Sequence, residues 1–163
     1  MTENILARLF EHNNWANEQI IQVCAGLSDE QLDAEPQSAA LGSIRSTLTH
    51  LVSAQRGYLA LLTLPPEARV RTPMDWNELQ ESAQNSGAGL LAVAQDPSQL
   101  TAQVQSTDGY LIAPWVVMVQ VINHATEHRE QINNMLSGLG ITPPSLDGWS
   151  YGEVTDALVP VAK

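Results

Sequence analysis

Apolar residues recur three and four positions apart along four stretches of the chain, which is the spacing of amphipathic helices. The first stretch runs from Thr2 to about Cys24, and Thr2 is its predicted N-cap. The second runs from Ile44 to about Thr63, with Ser43 as its predicted cap and Pro65-Pro66 as its stop. These two stretches predict two long helices.

A third and a fourth helix follow from the same spacing. The third is expected from Asp75 to about Gln95, although two glycines within it lower its helix propensity. The fourth is expected from about Ala113 to Ser137, and Gly138 or Gly140 supplies its carboxyl-terminal stop. Four amphipathic helices in one short chain predict an all-α fold, a four-helix bundle.

The segment between the first two helices carries turn signals. Ser28 to Gln31 matches a capping box, in which the two end residues bond each other's backbone, and predicts a short helical turn. Pro36 stops this turn, and the polar run from Pro36 to Gly42 is expected to be a loop.

Two further segments flank the fourth helix. Before it, an alternating run that contains Asp108-Gly109 suits a small hairpin or an extended crossover. After it, Ile141 to Lys163 is expected to be an extended tail packed by Trp149 and Tyr151. Residues 1–163 are therefore predicted to form a single all-α domain, a four-helix bundle with a long crossover, a short hairpin before the last helix and an extended C-terminal tail.

The composition of the chain excludes one class of partner. Eighteen acidic residues against seven basic ones give a net charge of −11, and Lys163 is the only lysine. Without a basic patch, counterion release cannot drive binding to nucleic acid. No apolar stretch approaches the roughly 20 residues that cross a bilayer, so a soluble, cytoplasmic protein without a membrane partner is expected. Cys24, the single cysteine, is expected to be buried as a small hydrophobic residue.

Histidines interrupt the apolar stripes of the predicted helices. His124 and His128 lie one helical turn apart within an apolar face of the fourth helix, and His50 lies on the second helix. Burying unpaired imidazoles costs free energy, and a shared metal ion satisfies all three at once. The alternative is that each histidine is satisfied separately by a carbonyl or a carboxylate.

A site of three imidazole nitrogens has a recognisable metal preference. Three neutral nitrogen ligands suit a divalent ion, zinc or nickel first, with iron or copper as further candidates. They also leave one to three coordination positions for water or a substrate, which catalysis requires. The sequence therefore predicts a metal site at His50, His124 and His128.

The role of the fourth histidine is open on sequence grounds. His12 lies in the apolar stripe of the first helix and could be a fourth ligand, a general base beside the metal, or a core histidine bonded to a neighbour. Of these roles we select the general base, which makes His12 the candidate catalytic residue. His124 to His128 also spell H-x-x-E-H, a zinc-protease pattern, but only 35 residues follow His128 to supply a distant acidic ligand. Glu127 is expected either to orient an imidazole or to be a solvated carboxylate.

Short segments in a fixed order resemble the DinB-like (DinB/YfiT) family of metal-binding four-helix bundles. They are Leu9 to Asn17 in the first helix, Ser46 to Leu51 in the second, His124 to Ile132 in the last, and Leu139 to Pro144 with Asp147 in the tail. The resemblance implies that His50, His124 and His128 bind a divalent ion and that the protein is a homodimer. It departs at His12, where the family usually has an aromatic residue such as tyrosine.

The resemblance also implies a type of activity, because family members with known activity transfer or hydrolyse using low-molecular-weight thiols. The first hypothesis is a metal-dependent enzyme, a thiol S-transferase or related hydrolase, that acts on a small-molecule substrate with a metal-activated thiol or water. The second is a non-catalytic protein that binds a metal or a small ligand. The third is a bundle core with separately satisfied histidines.

Overall fold

Four long helices account for most of the chain in a computed structural model that describes residues 3–36, 42–70 and 72–161. They are α1 (Ile5–Ala25), α3 (Ile44–Thr63), α4 (Leu79–Gln95) and α5 (Pro114–Gly138). Two shorter α-helices, α2 (Asp29–Leu32) and α6 (Gly148–Val154), and the two-residue strands β1 (Val104–Gln105) and β2 (Leu111–Ile112) are also present in these ranges, together with short 3-10 turns. The all-α prediction is confirmed.

The N-terminal caps explain where these helices begin. The Ser43 side chain accepts a hydrogen bond from the Ser46 amide, which confirms the predicted start of α3. Ser28 and Gln31 form the predicted capping box of α2. The prediction for α1 is wrong in its cap, because Asn4 caps the helix by accepting from Ala7, whereas Thr2 lies outside the described residues.

Two other predicted boundaries fall close to the observed ones. Asp75 caps a short 3-10 turn at Trp76–Glu78, and α4 follows it directly and ends at Gln95. Most of the predicted loop from Pro36 to Gly42 lies outside the described residues. The stop of α5 is Gly140, whose positive φ of 73° lets the Ile141 amide donate to the carbonyl oxygen of Leu136.

The long helices form a bundle in which α1 neighbours α4 and α5, and α3 neighbours the same two. Helices α1 and α4 are antiparallel, because the Asn4 side chain at the start of α1 donates to the Ala94 carbonyl oxygen at the end of α4. Helices α3 and α4 run in the same direction: Gln55 contacts Ala83, and Leu59 lies against Gly89 further along both. Parallel neighbours require the chain to return along the bundle, so residues 64–70 and 72–78 belong to a long crossover.

The segment between α4 and α5 contains the small hairpin that its alternating pattern suggested. Strands β1 and β2 are antiparallel, with Val104 opposite Ile112 and Gln105 opposite Leu111. Gly109 has φ of 93° in the connecting turn, a conformation that glycine adopts without steric cost. Of the two alternatives for this segment, the hairpin is correct.

The C-terminal tail differs from its prediction. It contains α6, which Asp147 caps by accepting from the Ser150 amide, so the tail is not extended throughout. Tyr151 packs against His12 and Trp15 of α1, as a packing residue should. Trp149 does not pack in this way, because 75% of its surface is exposed. The period of one seven-residue helix among prolines and glycines was too short to show in the sequence pattern.

The core consists of two apolar clusters with buried polar side chains between them. One cluster includes Ile20, Cys24 and Leu136, and the other includes Phe10 and Val121. Both hold α1 and α5 side by side in the same direction, because low-numbered residues of each helix meet in one cluster and high-numbered residues in the other.

The buried polar side chains between the clusters are called here the polar layer: Asn13, Asn17, Gln55, Ser86 and Arg129. The Arg129 guanidinium donates to the Oδ1 atoms of Asn13 and Asn17, at 2.9 and 2.6 Å. Asn17 then donates to Gln55, which donates to Ser86 on α4. Burial lowers the pKa of Arg129 to about 10, so the side chain stays charged at neutral pH.

Within the described ranges, every helix is too short or too polar to cross a membrane.

Candidate metal centre

Three of the four histidines meet between α3 and α5. The Nε2 atom of His124 is 3.1 Å from that of His50 and 3.1 Å from that of His128. The potential ligand atoms of the three residues all lie within 4.8 Å of one another. His50 is exposed, and the other two histidines are half-buried, so the cluster lies at the surface of the bundle.

The helix geometry explains why these residues meet. Helices α3 and α5 are antiparallel neighbours: the ring of His50 contacts that of His128, and the ring of Tyr58 further along α3 contacts that of His124. His124 and His128 share a face of α5 because four residues make about one turn. Ala54, one turn after His50, is small, so the two helices can approach closely beside the cluster.

The surroundings of the cluster favour neutral imidazoles. Burial, followed by repulsion from the charged forms of His128 and His50, lowers the pKa of His124 to about 4. Burial, followed by the charge of His128, also lowers the pKa of His50. Neutral imidazole is the form that binds metal ions, so His50 and His124 are in their ligating form at neutral pH.

The second nitrogen of His128 has its own partner. Its Nδ1 atom is 2.8 Å from Oε1 of Gln131, one turn further along α5. Glu127, a candidate for orienting an imidazole, is exposed. The side chain that contacts the second nitrogen of His128 is therefore Gln131 and not Glu127.

His12 lies outside this cluster, at the contact between α1 and the C-terminal tail. Its Nε2 atom is 2.8 Å from the carbonyl oxygen of Leu146, and its ring packs against Trp15 and Tyr151. A carbonyl oxygen can only accept, so Nε2 carries a proton and Nδ1 is the ring atom left to accept one. The role of His12 as a general base stays a prediction.

The three-histidine cluster fits a divalent metal ion. Zinc–nitrogen bonds of about 2.0–2.1 Å at tetrahedral angles place two ligand nitrogens about 3.3 Å apart. The two Nε2 separations of 3.1 Å are close to that value. The cluster could therefore hold a divalent ion with small side-chain movements.

Two residues at this site were not recognised as site residues in the sequence. Gln131 lies three positions after His128, and Tyr58 lies eight positions, or about two turns, after His50. Helical spacing from a candidate ligand is the signal that could have indicated both. Many residues have this spacing from a histidine, so the spacing alone could not identify Gln131 and Tyr58.

The fold and the histidine cluster place this chain in the class of all-α bundle proteins that have a candidate metal site between two helices. The sequence profile of the DinB family matches residues 1–159. The chain belongs to the DinB family.

A solved structure agrees with this assignment at the level of the fold. It is the crystal structure of a DinB-like protein from Bacillus cereus ATCC 10987, similar to this chain with a TM-score of 0.66 and 18% sequence identity. The similarity covers 86% of this chain and 94% of that one. No curated protein matches the chain in sequence.

Proposed function

We propose that His50, His124 and His128 bind a divalent metal ion and that the protein is a metal-dependent thiol S-transferase or a related hydrolase. The observation that carries the proposal is the convergence of three histidine side chains, with their potential ligand atoms within 4.8 Å of one another, at the surface of the bundle. The family resemblance implies the same three ligands and a low-molecular-weight thiol as the small-molecule substrate.

The exposure of the cluster supports a site that a substrate can reach. His50 is exposed, so the α3 side of the cluster faces solvent. Three nitrogen ligands leave one to three coordination positions free, and they favour zinc or nickel, with iron or copper as alternatives. A bound divalent ion lowers the pKa of a coordinated thiol or water and so supplies a nucleophile near neutral pH.

The chain's own residues prepare the site for this chemistry. The lowered pKa values of His50 and His124 keep both imidazoles neutral, and therefore able to bind metal, at neutral pH. The ring of Tyr58 packs edge-on against that of His124 and borders the cluster along α3. His12 is the candidate base, and it would accept a proton at Nδ1 because Nε2 bonds Leu146.

One observation favours a second candidate function, non-catalytic binding of a metal or a small ligand. His12 is bonded to the tail through Leu146 and packed against two aromatic rings, as a structural residue would be. In that case the cluster would bind its ion without a base to assist a reaction.

The metal content of single variants tests the ligand set. Replacing His50, His124 or His128 with alanine leaves two nitrogens, so zinc affinity should fall well beyond the ~10 to 100-fold effect of residues that only support a ligand. The measurement is zinc bound per chain after identical dialysis against a weak chelator. The three variants should behave alike, since each removes one of the three imidazole ligands.

His12→Ala is the matched control, because it removes an imidazole that the structure places elsewhere. This variant should retain stoichiometric zinc, and its thiol-transfer rate should fall by about 10² to 10⁴ if His12 is the general base. Retention of full zinc by the His50 variant would refute the three-histidine site. An unchanged rate in a metal-loaded His12 variant would remove His12 from the mechanism.

A further inference from the structure

The His128 ring has a hydrogen-bond acceptor on its own helix. The Oε1 atom of Gln131 is 2.8 Å from Nδ1 of His128. A side-chain carbonyl oxygen accepts hydrogen bonds and cannot donate them, so Nδ1 carries the proton of the neutral imidazole.

The position of that proton decides what the other ring nitrogen can do. A neutral imidazole has a single N–H, so protonation at Nδ1 leaves a lone pair on Nε2. This Nε2 is 3.1 Å from Nε2 of His124, so the lone pair lies on the side of the ring that faces the cluster. The opposite tautomer would direct the N–H of Nε2 toward the cluster. It would also leave the lone pair of Nδ1 facing Oε1 of Gln131, so that two acceptors would face each other.

The neighbours of His128 along α5 do not perform this task. Glu127 is exposed, and Arg129 is buried toward α1, where its guanidinium bonds Asn13 and Asn17. Arg129 therefore fixes the rotation of this turn of α5 relative to α1. Gln131 is the side chain that contacts the His128 ring, which faces α3.

We propose that Gln131 is a positioning residue of the three-histidine site, which holds His128 in the Nδ1–H tautomer with its Nε2 lone pair directed at the metal position. The inference rests on the proposed metal site and deepens it by naming a residue that prepares one ligand. Partners of this kind orient metal-binding histidines and raise their affinity.

The tautomer of His128 can be observed directly in the metal-free protein. Long-range ¹H–¹⁵N spectra at about pH 8, where free histidine is neutral, distinguish Nδ1–H from Nε2–H. Wild-type protein should show His128 protonated at Nδ1, and Gln131→Ala should shift it toward a mixture of tautomers. Gln131→Glu should restore Nδ1–H, since a carboxylate accepts the same bond.

Zinc affinity, measured by competition with a chromophoric chelator, provides the second readout. Gln131→Ala should weaken binding by about 10 to 100-fold, and Gln131→Glu should recover most of the loss. Glu127→Gln is the matched control on the same helix, and it should change neither the tautomer nor the affinity.

The outcomes separate this inference from the proposed function. The positioning role is overturned if wild-type His128 is protonated at Nε2, or if Gln131→Ala leaves the tautomer or the zinc affinity unchanged. If wild-type protein binds no zinc while the tautomer shifts as expected, the proposed function fails, and the control of the His128 proton by Gln131 stands.

Discussion

The Cys24 thiol is fully buried among the apolar residues of one core cluster. Burial raises its pKa from 9.0 to about 12, because a thiolate in apolar surroundings loses its hydration. The thiol is therefore neutral under ordinary conditions, which excludes it as a nucleophile in the folded protein. The sequence prediction of a buried small residue is confirmed.

This burial predicts an alkaline loss of stability. Below pH 9 the folded and unfolded chains both hold the neutral thiol, and the stabilisation is complete. As the pH rises above 9 toward 12, the unfolded chain releases a proton that the folded protein keeps, so the free energy of unfolding falls. The loss at this one group is at most about 1.4 kcal/mol per pH unit.

Urea midpoints of wild type and Cys24→Ala, measured at about pH 8 and about pH 10.5, isolate this contribution. The variant should be less stable at the lower pH because it lacks the buried sulfur atom, and the difference in stability should narrow at the higher pH. Both proteins contain the same tyrosines, so the contribution of tyrosine ionisation cancels in the difference between their stabilities. A constant difference across this range would contradict the assigned pKa.

Single residues of the candidate site were predictable to different degrees. His50, His124 and His128 stood out because they interrupt the apolar stripes of predicted helices. The sequence pattern placed them facing inward, whereas the structure places the cluster at the surface of the bundle, with His50 exposed. His12 stood out for the same reason, but its contact with Leu146 depends on the path of the tail across α1. Glutamine and tyrosine are common on helices, so the helical spacing of Gln131 from His128 and of Tyr58 from His50 was too weak a signal to identify them.

At the scale of elements, the end of α5 offers a matched pair of glycines. Gly138 is the last residue of the helix, and Gly140 follows in a left-handed conformation with φ of 73°. A Cβ at either position would have no neighbouring atom within 4 Å, so steric contact does not separate them. The two positions differ only in their backbone conformation.

Alanine at these two positions should therefore have opposite effects. Gly140→Ala should destabilise the protein by about 1–2 kcal/mol, because a Cβ disfavours the left-handed region. Gly138→Ala should stabilise it by up to about 1 kcal/mol, since alanine loses less backbone freedom in a helix. Thermal or urea unfolding of both variants checks the signs, and destabilisation of equal size in both would contradict this account.

The elements whose limits come from local chemistry were predicted best. Ser43 and Thr63 bound α3 as expected because a cap and a proline pair act within a few residues. The cap of α1 was misassigned because Thr2 and Asn4 are both good capping residues two positions apart. Helix α6 was not predicted because seven residues are too few to show an apolar period, and because the packing of Tyr151 against α1 is a long-range contact.

At the scale of the whole molecule, exposed apolar residues lie on two adjacent helices. They are called here the α1–α5 patch: Ile5, Leu9, Trp115 and Val119. Trp115 is 66% exposed and Val119, one turn later, is 50% exposed. We propose that a second copy of the chain covers these residues, as the homodimer implied by the family resemblance would require.

Light scattering of wild type and two matched variants tests this expectation. Wild-type protein at micromolar concentration should have the mass of a dimer, and Val119→Glu should shift it toward monomer by burying an unpaired carboxylate in the interface. Val70→Glu is the control, because Val70 is 78% exposed and lies outside the patch. A monomeric wild type would refute the homodimer, and a dimeric Val119 variant would place the interface elsewhere.

The polar layer also governs how the helices can be aligned along the bundle axis. If α5 slid by one turn relative to α1, Ala125 or Asn133 would take the place of Arg129. The guanidinium would then leave both asparagines, and a buried charge without partners costs about 3–5 kcal/mol. Apolar clusters accept one aliphatic side chain in place of another, so they discriminate poorly between such registers. Because His128 is next to Arg129 in the chain, the side chains that select the register also set the height at which α5 presents its histidines to His50.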